Sequence, residues 1–201
     1  MAEDRVPPEA LVVEARVRAL RDAGDLHGAA TEIIRHHGPR ILRYLRSLLR
    51  EEETAEDAFA LFAEQIWTGL EGFRGDASVL TWSYTVAWRA ALRQLRDPYR
   101  RRRRPLEPGD YSRLVDEVRQ STLAHLRTEV RTGIARLRDS LQPEDQTLLY
   151  LRIDQQMAWK DVAEVLTAEG AVVEEAALRK RFERVKRRLR EIAVKEGLVP
   201  P

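Results

Sequence analysis

Hydrophobic residues recur at steps of three and four along most of this chain, and no segment alternates in the manner of a strand. The pattern predicts helices over residues 39–50, 54–70 and 76–97, and a shorter amphipathic helix over residues 9–22. Helical periodicity returns over residues 111–140. We therefore expect an all-α protein.

The last third of the chain shows the pattern of a helix-turn-helix bundle. Pro143 opens one predicted helix, Val162 and Leu166 belong to a second, and a long basic helix follows. One apolar stripe in the basic helix recurs at steps of four and three: Leu178, Phe182, Val185, Leu189 and Ile192. A short coiled-coil strand and a solvated charged face are the alternatives for this helix, but the stripe spans only about two heptads. Three such helices favour the helix-turn-helix bundle.

A segment rich in Pro and Arg divides the chain into two small helical domains. The stretch from Pro98 to about Gly109 is rich in both residues and has no apolar period. We predict an N-terminal extension over 1–25, a helical domain over 26–97, a Pro/Arg-rich linker over 98–118 and the helix-turn-helix domain over 119–197.

Composition restricts the class of protein. The 35 basic and 33 acidic residues give a formal net charge of +2, so any strongly positive surface is local. The absence of cysteine excludes disulfides, thiolate zinc sites and cysteine nucleophiles. No apolar run is long enough to cross a bilayer and no signal peptide is recognisable. These features predict a cytoplasmic protein without membrane insertion.

No constellation of catalytic residues stands out. The sequence has no phosphate-binding glycine loop, no credible pair of carboxylates and no metal-ligand spacing. His36 and His37 are adjacent, point in different directions on a helix and are expected at the surface. We expect no enzyme activity, no cofactor and no metal.

Aromatic residues and arginines alternate between Gly72 and Arg104, and this mixture is typical of single-stranded nucleic-acid binding. Trp82, Tyr84, Trp88 and Tyr99 could stack on unpaired bases, while the surrounding arginines, including the run Arg100–Arg104, could neutralise phosphates. Core packing of the aromatic side chains and a solvated linker for the arginine run are the alternatives. For Trp82 the pattern leaves both interpretations open.

The long basic helix carries cations opposite its apolar stripe. They are Arg179, Lys180, Arg181, Arg184, Lys186, Arg187, Arg188 and Arg190. A helix of this kind fits the major groove of DNA, where its N-terminal side chains reach base edges and later ones hold phosphates.

In this order, the segments resemble a bacterial RNA polymerase sigma factor of the extracytoplasmic function (ECF) group, from about Leu26 to Ile192. TAEDAFALFAEQIW at 54–67 is similar to the helix that binds the polymerase clamp. GFRGDASVLTWSYTVAWRAALRQLR at 72–96 is similar to the segment that melts the minus-ten promoter element. PEDQTLLYLRIDQQMAWKDVAEVL with ALRKRFERVKRRLR is similar to region four, which reads the minus-thirty-five element.

The resemblance implies partners and site residues. It implies that core RNA polymerase and promoter DNA are the partners and that an anti-sigma factor can be a further one. It puts Glu56 and Asp57 against the clamp. The residues it puts near the minus-ten strand are Arg74, Trp82, Tyr84 and Arg89. The upstream contacts it implies are Ala177, Arg179, Lys180, Arg181 and Arg184, of which we expect Arg179 and Lys180 at base edges and Arg181 and Arg184 at phosphates.

Three departures from the family pattern leave an alternative open. Ala60-Leu61 stands where the clamp helix usually has Gln-Glu, and Ala87-Trp88-Arg89 stands where Ala-Arg-Asn is usual. The turn before the basic helix is longer than in the family and brings Glu174 and Glu175 to the start of that helix. The altered clamp helix supports the alternative of a stand-alone DNA-binding regulator that does not initiate transcription.

Overall fold

The computed structural model describes residues 8–96, 111–126, 137–167 and 172–199. Within these ranges the chain forms helices and loops and no strand, so the all-α prediction is confirmed. The chain divides into two compact units, a first unit of Met1–Arg127 and a second unit of Thr128–Pro201. The arginine run Arg100–Arg104, Tyr99 and the predicted helical stretch 127–136 lie outside the described residues.

One long helix lies at the centre of the first unit. The helices are α1 (Pro8–Asp22), α2 (Leu26–Leu49), α3 (Glu52–Gly69), α4 (Val79–Arg96) and α5 (Ser112–Leu126). The other four all pack against α2. The side chains of α2 that are fully buried include Ile33, Ile34, Ile41, Leu42 and Leu45. The packing of α2 therefore brings these segments of the first unit together.

The predicted helix start at residue 39 is wrong, because α2 continues through Gly38 and Pro39. A proline inside a helix removes one hydrogen bond and costs about 3 kcal/mol. Each fully buried leucine or isoleucine contributes about 1.5–3 kcal/mol, so a few of the buried side chains of α2 offset that cost. A Cβ on Gly38 would lie 3.1 Å from Val118 Cγ1 and 3.3 Å from Phe59 Cζ, so the missing side chain allows close packing of α5 and α3.

Helix α5 extends the first unit beyond residue 97, where the predicted first domain ends. The helix begins within the predicted linker 98–118 and packs against α2. Its buried residues Leu114, Val115 and Val118, together with Tyr111 just before the helix, recur at helical spacing. The Pro/Arg-rich composition that motivated the linker prediction ends before this apolar stripe begins.

The second unit is smaller and contains the predicted helix-turn-helix order. Its helices are α6 (Pro143–Leu149), α7 (Trp159–Leu166) and α8 (Glu175–Lys195), with a π-helical turn at Tyr150–Asp154. Pro143 lies in the first turn of α6, where a proline costs no hydrogen bond. Leu141, Leu149 and Val185 form a core cluster against which Phe182 and Leu189 pack. The predicted apolar stripe of α8 is thus the side that faces this core.

The expectation that both adjacent histidines are surface residues is wrong for His37. His37 lies in α2 with only 3% of its surface exposed, whereas His36 is partly exposed and lies 3.2 Å from a carboxylate oxygen of Glu32. Burial, with smaller contributions from Arg40 and His36, lowers the pKa of His37 from 6.5 to about 3. The imidazole of His37 is therefore neutral in the folded protein at neutral pH.

The buried histidine predicts a pH dependence of stability. Between pH 6.5 and about pH 3 the unfolded chain binds a proton at His37 that the folded chain does not. The free energy of unfolding should therefore be insensitive to this group above pH 6.5 and fall below it, by at most about 1.4 kcal/mol per pH unit. Urea unfolding of wild type and His37→Gln at about pH 7.5 and about pH 5.5 measures the difference. His36→Gln is the control, and equal losses in wild type and His37→Gln would contradict the prediction.

Candidate nucleic-acid interface

A short loop joins α3 to α4 at the segment predicted to melt DNA. After α3 and a single 3₁₀ turn at Leu70–Gly72, residues 73–78 form this loop, here called the 73–78 loop. Arg74, Gly75 and Asp76 are exposed, and Gly75 has a left-handed φ of 80°. Ser78 Oγ accepts a hydrogen bond from the Thr81 N–H at 3.0 Å and so caps the start of α4.

The aromatic pair beside the 73–78 loop is partly accessible. The rings of Phe73 and Trp82 stack with centroids 4.8 Å apart at 27°. Phe73 is buried, while Trp82 is half-buried. Arg89 follows Trp82 by two helical turns and is exposed, so both lie on the same side of α4. One part of the Trp82 side chain therefore packs on the core and another part is accessible at the surface. Each of the two interpretations left open for this residue is thus correct for part of it.

The structure does not bring Tyr84 to this surface. Its side chain is fully buried, and its ring meets Tyr44 of α2 edge-on at 5.7 Å. Trp88 is 1% exposed and also belongs to the core. Both residues follow the helical period of α4 toward α2 and α3, so their rings are not available to bases in this arrangement. Arg74, Trp82 and Arg89 are the predicted melting residues that remain at the surface.

The predicted polymerase contacts lie in the first turns of α3. The Glu56 carboxylate accepts a hydrogen bond from Arg46 Nη2 at 3.1 Å and lies 3.7 Å from Arg119 Nη2. Arg119 also donates to the backbone carbonyl of Glu56 at 3.0 Å. Asp57 is half-buried, and Ala60, one of the two departures on this helix, is 2% exposed. Neighbouring arginines therefore already neutralise part of the charge at this site.

In the second unit, the predicted DNA contacts on α8 differ in their exposure and in their ion pairs. Ala177, Lys180 and Arg184 are exposed. Arg181 instead donates to Asp145 of α6 at 2.5 Å and thereby links α8 to α6. Arg179 is exposed and its guanidinium lies 3.2 Å from Glu175 one turn earlier.

Trp159, whose role was not predicted from the sequence, contacts several residues at the start of this bundle. Its ring meets Phe182 of α8 edge-on at 5.4 Å. The guanidinium groups of Arg152 and Arg179 lie 4.9 and 5.5 Å from its centroid. The only sequence signal for this role was an aromatic residue at the start of a short predicted helix, and that signal says nothing about its neighbours.

A row of cations remains on the side of α8 away from the core. Lys180, Arg184 and Arg187 line one shallow groove together with Arg179 and Glu183. Within the part of the chain that the structure describes, no carboxylate pairs with these first three cations, while Glu183 pairs with Lys186 at 2.9 Å. Lys180, Arg184 and Arg187 can therefore attract a polyanion without first breaking an ion pair.

The described ranges contain neither a metal site nor a membrane-spanning helix. No cluster of three or more His, Asp or Glu side chains there could hold a metal ion. Among the helices of these ranges, none combines the length and the apolar character needed to cross a membrane.

Comparison with known proteins shows what the chain is similar to. The family model described as sigma-70 region 2 matches residues 33–103. RNA polymerase sigma factor YlaC of Bacillus subtilis (strain 168) is 27% identical over 138 residues, which cover 67% of this chain and 78% of that protein. The chain therefore carries a sigma-70 region 2 match and resembles the ECF sigma factors. The resemblance predicted from the sequence is thus confirmed, and both comparisons support a sigma factor role in transcription initiation. Sigma factors are not a family of enzymes.

The ion pair between Arg181 and Asp145 predicts different effects for two neighbouring arginines. Arg181→Ala leaves the Asp145 side chain, which is 16% exposed, without this cation, and should destabilise the second unit by about 1 kcal/mol. Arg184→Ala removes an exposed cation and should change stability by less than about 0.5 kcal/mol. Hydrogen exchange of peptides from α6 and α8 in the full chain reports both values. Equal protection in the two variants would show that the pair is not structural.

Proposed function

We propose that this sigma factor reads upstream promoter DNA through α8 and opens the downstream element through its first unit, in complex with core RNA polymerase. The observation that carries the proposal is the division of α8 into two sides. Leu178 and Val185 are buried, whereas Lys180, Arg184 and Arg187 lie in an open groove and pair with no carboxylate among the described residues. A helix that is held on one side and basic on the other fits a major groove.

Different contacts are proposed for different residues of α8. Lys180 and Arg179 near the helix start contact base edges, and the methyl group of Ala177 contacts a thymine methyl. Arg184 and Arg187, one and two turns further on, contact phosphates. Arg181, first expected at phosphate, contributes through its ion pair with Asp145 instead. Glu174 and Glu175 at the helix start suit the helix dipole and favour a cytosine amino group over a phosphate.

In the first unit, the proposed strand contacts surround the 73–78 loop. An unstacked base lies against the accessible part of Trp82, and Arg74 and Arg89 neutralise the flanking phosphates. Tyr84 takes no part because its ring is buried against Tyr44. Any chemistry on nucleotides belongs to the polymerase.

The start of α3 is the proposed contact with the polymerase clamp. Glu56 and Asp57 are half-buried acidic residues on this helix. Arg46 and Arg119 already approach the Glu56 carboxylate and partly neutralise its charge. Glu56 therefore attracts a cation of the partner less strongly than an isolated carboxylate would. The nearly complete burial of Ala60 is the observation that favours the alternative, a regulator that binds DNA without initiating transcription. An anti-sigma partner stays a prediction.

Reconstituted transcription distinguishes the two functions. Core RNA polymerase of the source organism, with and without the purified chain, is given a pool of genomic promoter fragments. New discrete transcripts that require the chain and decline for Trp82→Ala and Lys180→Ala support the proposal. Binding to core is measured in parallel for wild type, Asp57→Ala and the exposed control Glu53→Ala on the same helix. DNA binding without core binding and without transcripts would favour the stand-alone regulator.

Salt dependence of DNA binding separates the proposed phosphate contacts from base contacts. Arg184→Ala should weaken binding on all sequences and reduce the slope of log K against log salt by about 1. Lys180→Ala should mainly relax sequence preference, by about 1–3 kcal/mol at one position. Lys186→Ala is the matched control, because that exposed cation already pairs with Glu183. A slope that Arg184→Ala leaves unchanged, or changes no more than Lys186→Ala does, would contradict the assignment.

A further inference from the structure

Helix α1 contacts both ends of the 73–78 loop. At one end, Arg21 Nη2 donates to the backbone carbonyl of Phe73 at 2.5 Å. At the other end, Glu14 Oε2 accepts a hydrogen bond from the Val79 N–H at 2.8 Å. These partners are 52 and 65 residues apart in sequence.

The two side chains reach the ends of the loop from the same side of α1. Glu14 and Arg21 are seven residues apart on α1, which is about two turns, so they lie on one side of the helix. The rise between them along the helix axis is about 10.5 Å. Phe73 and Val79 bracket the exposed residues 74–76. One side of α1 therefore fixes the entrance and the exit of the loop.

Each contact also meets an electrostatic need. The first N–H groups of a helix have no partner within the helix, and its N-terminus attracts negative charge. Glu14 supplies a carboxylate to the Val79 N–H, and Ser78 Oγ satisfies the Thr81 N–H. Arg21 donates to a carbonyl oxygen and at the same time lies over the Phe73 ring, 5.1 Å from its centroid.

The contact of Arg21 with Phe73 extends to Trp82. The Phe73 ring contacts both residues: its centroid lies 5.1 Å from the guanidinium of Arg21 and 4.8 Å from the centroid of the Trp82 ring. A change in the position of α1 would therefore be passed through Phe73 to the aromatic residue that the proposed function assigns to base stacking. Arg21 and Glu14 are themselves half-buried and act through these neighbours.

We propose that Glu14 and Arg21 are positioning residues that hold the 73–78 loop and Trp82 ready to capture an unstacked base of the promoter strand. The inference rests on the proposed function of the first unit. Both residues lie outside residues 33–103, the stretch that the sigma-70 region 2 model matches. The proposal gives a role to α1, for which the sequence alone indicated none.

Preorganisation explains why such contacts would matter. Arg74, Gly75 and Asp76 are exposed and have little packing to restrict them. A loop that is free at its ends must be ordered when the strand binds, and that ordering weakens binding. Two hydrogen bonds at its ends restrict the loop before the strand arrives.

The first measurement tests positioning in the full chain without DNA. The protein is labelled with 5-fluorotryptophan, and the Trp82 resonance is assigned by its loss in Trp82→Phe. Glu14→Ala and Arg21→Ala should shift or broaden this resonance and speed hydrogen exchange of the Val79 peptide. Glu14→Gln, which keeps an acceptor oxygen, and Arg18→Ala, an exposed residue of the same helix, should resemble wild type.

The second measurement tests capture by the holoenzyme, using a pool of short single-stranded DNAs of random sequence. Glu14→Ala and Arg21→Ala should each weaken retention of the strands that wild type enriches, by about three- to tenfold, the effect of losing one hydrogen bond. Duplex binding through the second unit should not change. Arg21→Lys, which keeps a donor and a cation, should recover part of the loss.

The possible outcomes distinguish a failure of this inference from a failure of the proposed function on which it rests. A wild-type holoenzyme that enriches no strand overturns base capture and, with it, the proposed melting function. A wild type that does enrich strands, with both alanine variants equal to it, overturns only the role of α1. An unchanged Trp82 resonance and unchanged Val79 exchange in both variants overturn the positioning role directly.

Discussion

Burial of α2 is the constraint on which the first unit depends. Half of the 24 residues of α2 are buried, so the helix must be covered by other elements, and α1, α3, α4 and α5 provide that cover. This packing explains why His37 is held neutral and why the helix continues through Pro39. It also takes Tyr84 of α4 into the core against Tyr44 of α2. The 73–78 loop is left at the edge of this bundle, where only its ends are held.

The second unit depends more on polar and aromatic contacts because its described core is small. Leu141, Leu149 and Val185 form the central cluster. Around it, Trp159 packs on Phe182, and Arg138 forms a bidentate pair with Asp154 at 2.5 and 3.1 Å. Arg181 links α8 to α6 through Asp145. Several arginines of this unit therefore contribute to its own structure.

The sequence predicts fold class better than it predicts the surface. Apolar periodicity correctly indicated the helices and the buried stripe of α8, since burial requires repetition along one helix. It could not tell that Tyr84 is buried and Trp82 half-buried, because both fit an amphipathic helix and the choice depends on α2 and Phe73. The contacts of Glu14 and Arg21 join residues more than fifty positions apart. No local pattern encodes such pairs.

The charge of a helix is a poor measure of its affinity for DNA unless the ion pairs of each cation are known. An arginine that already has a carboxylate partner gains little from a phosphate, because it exchanges one anion for another and leaves the first uncompensated. Arg181 is in that position, while Arg184 and Arg187 are not. The same reasoning applies to Glu56, whose two neighbouring arginines compete with any cation on a partner protein. The ionic contacts within each unit therefore determine which charges are available for recognition.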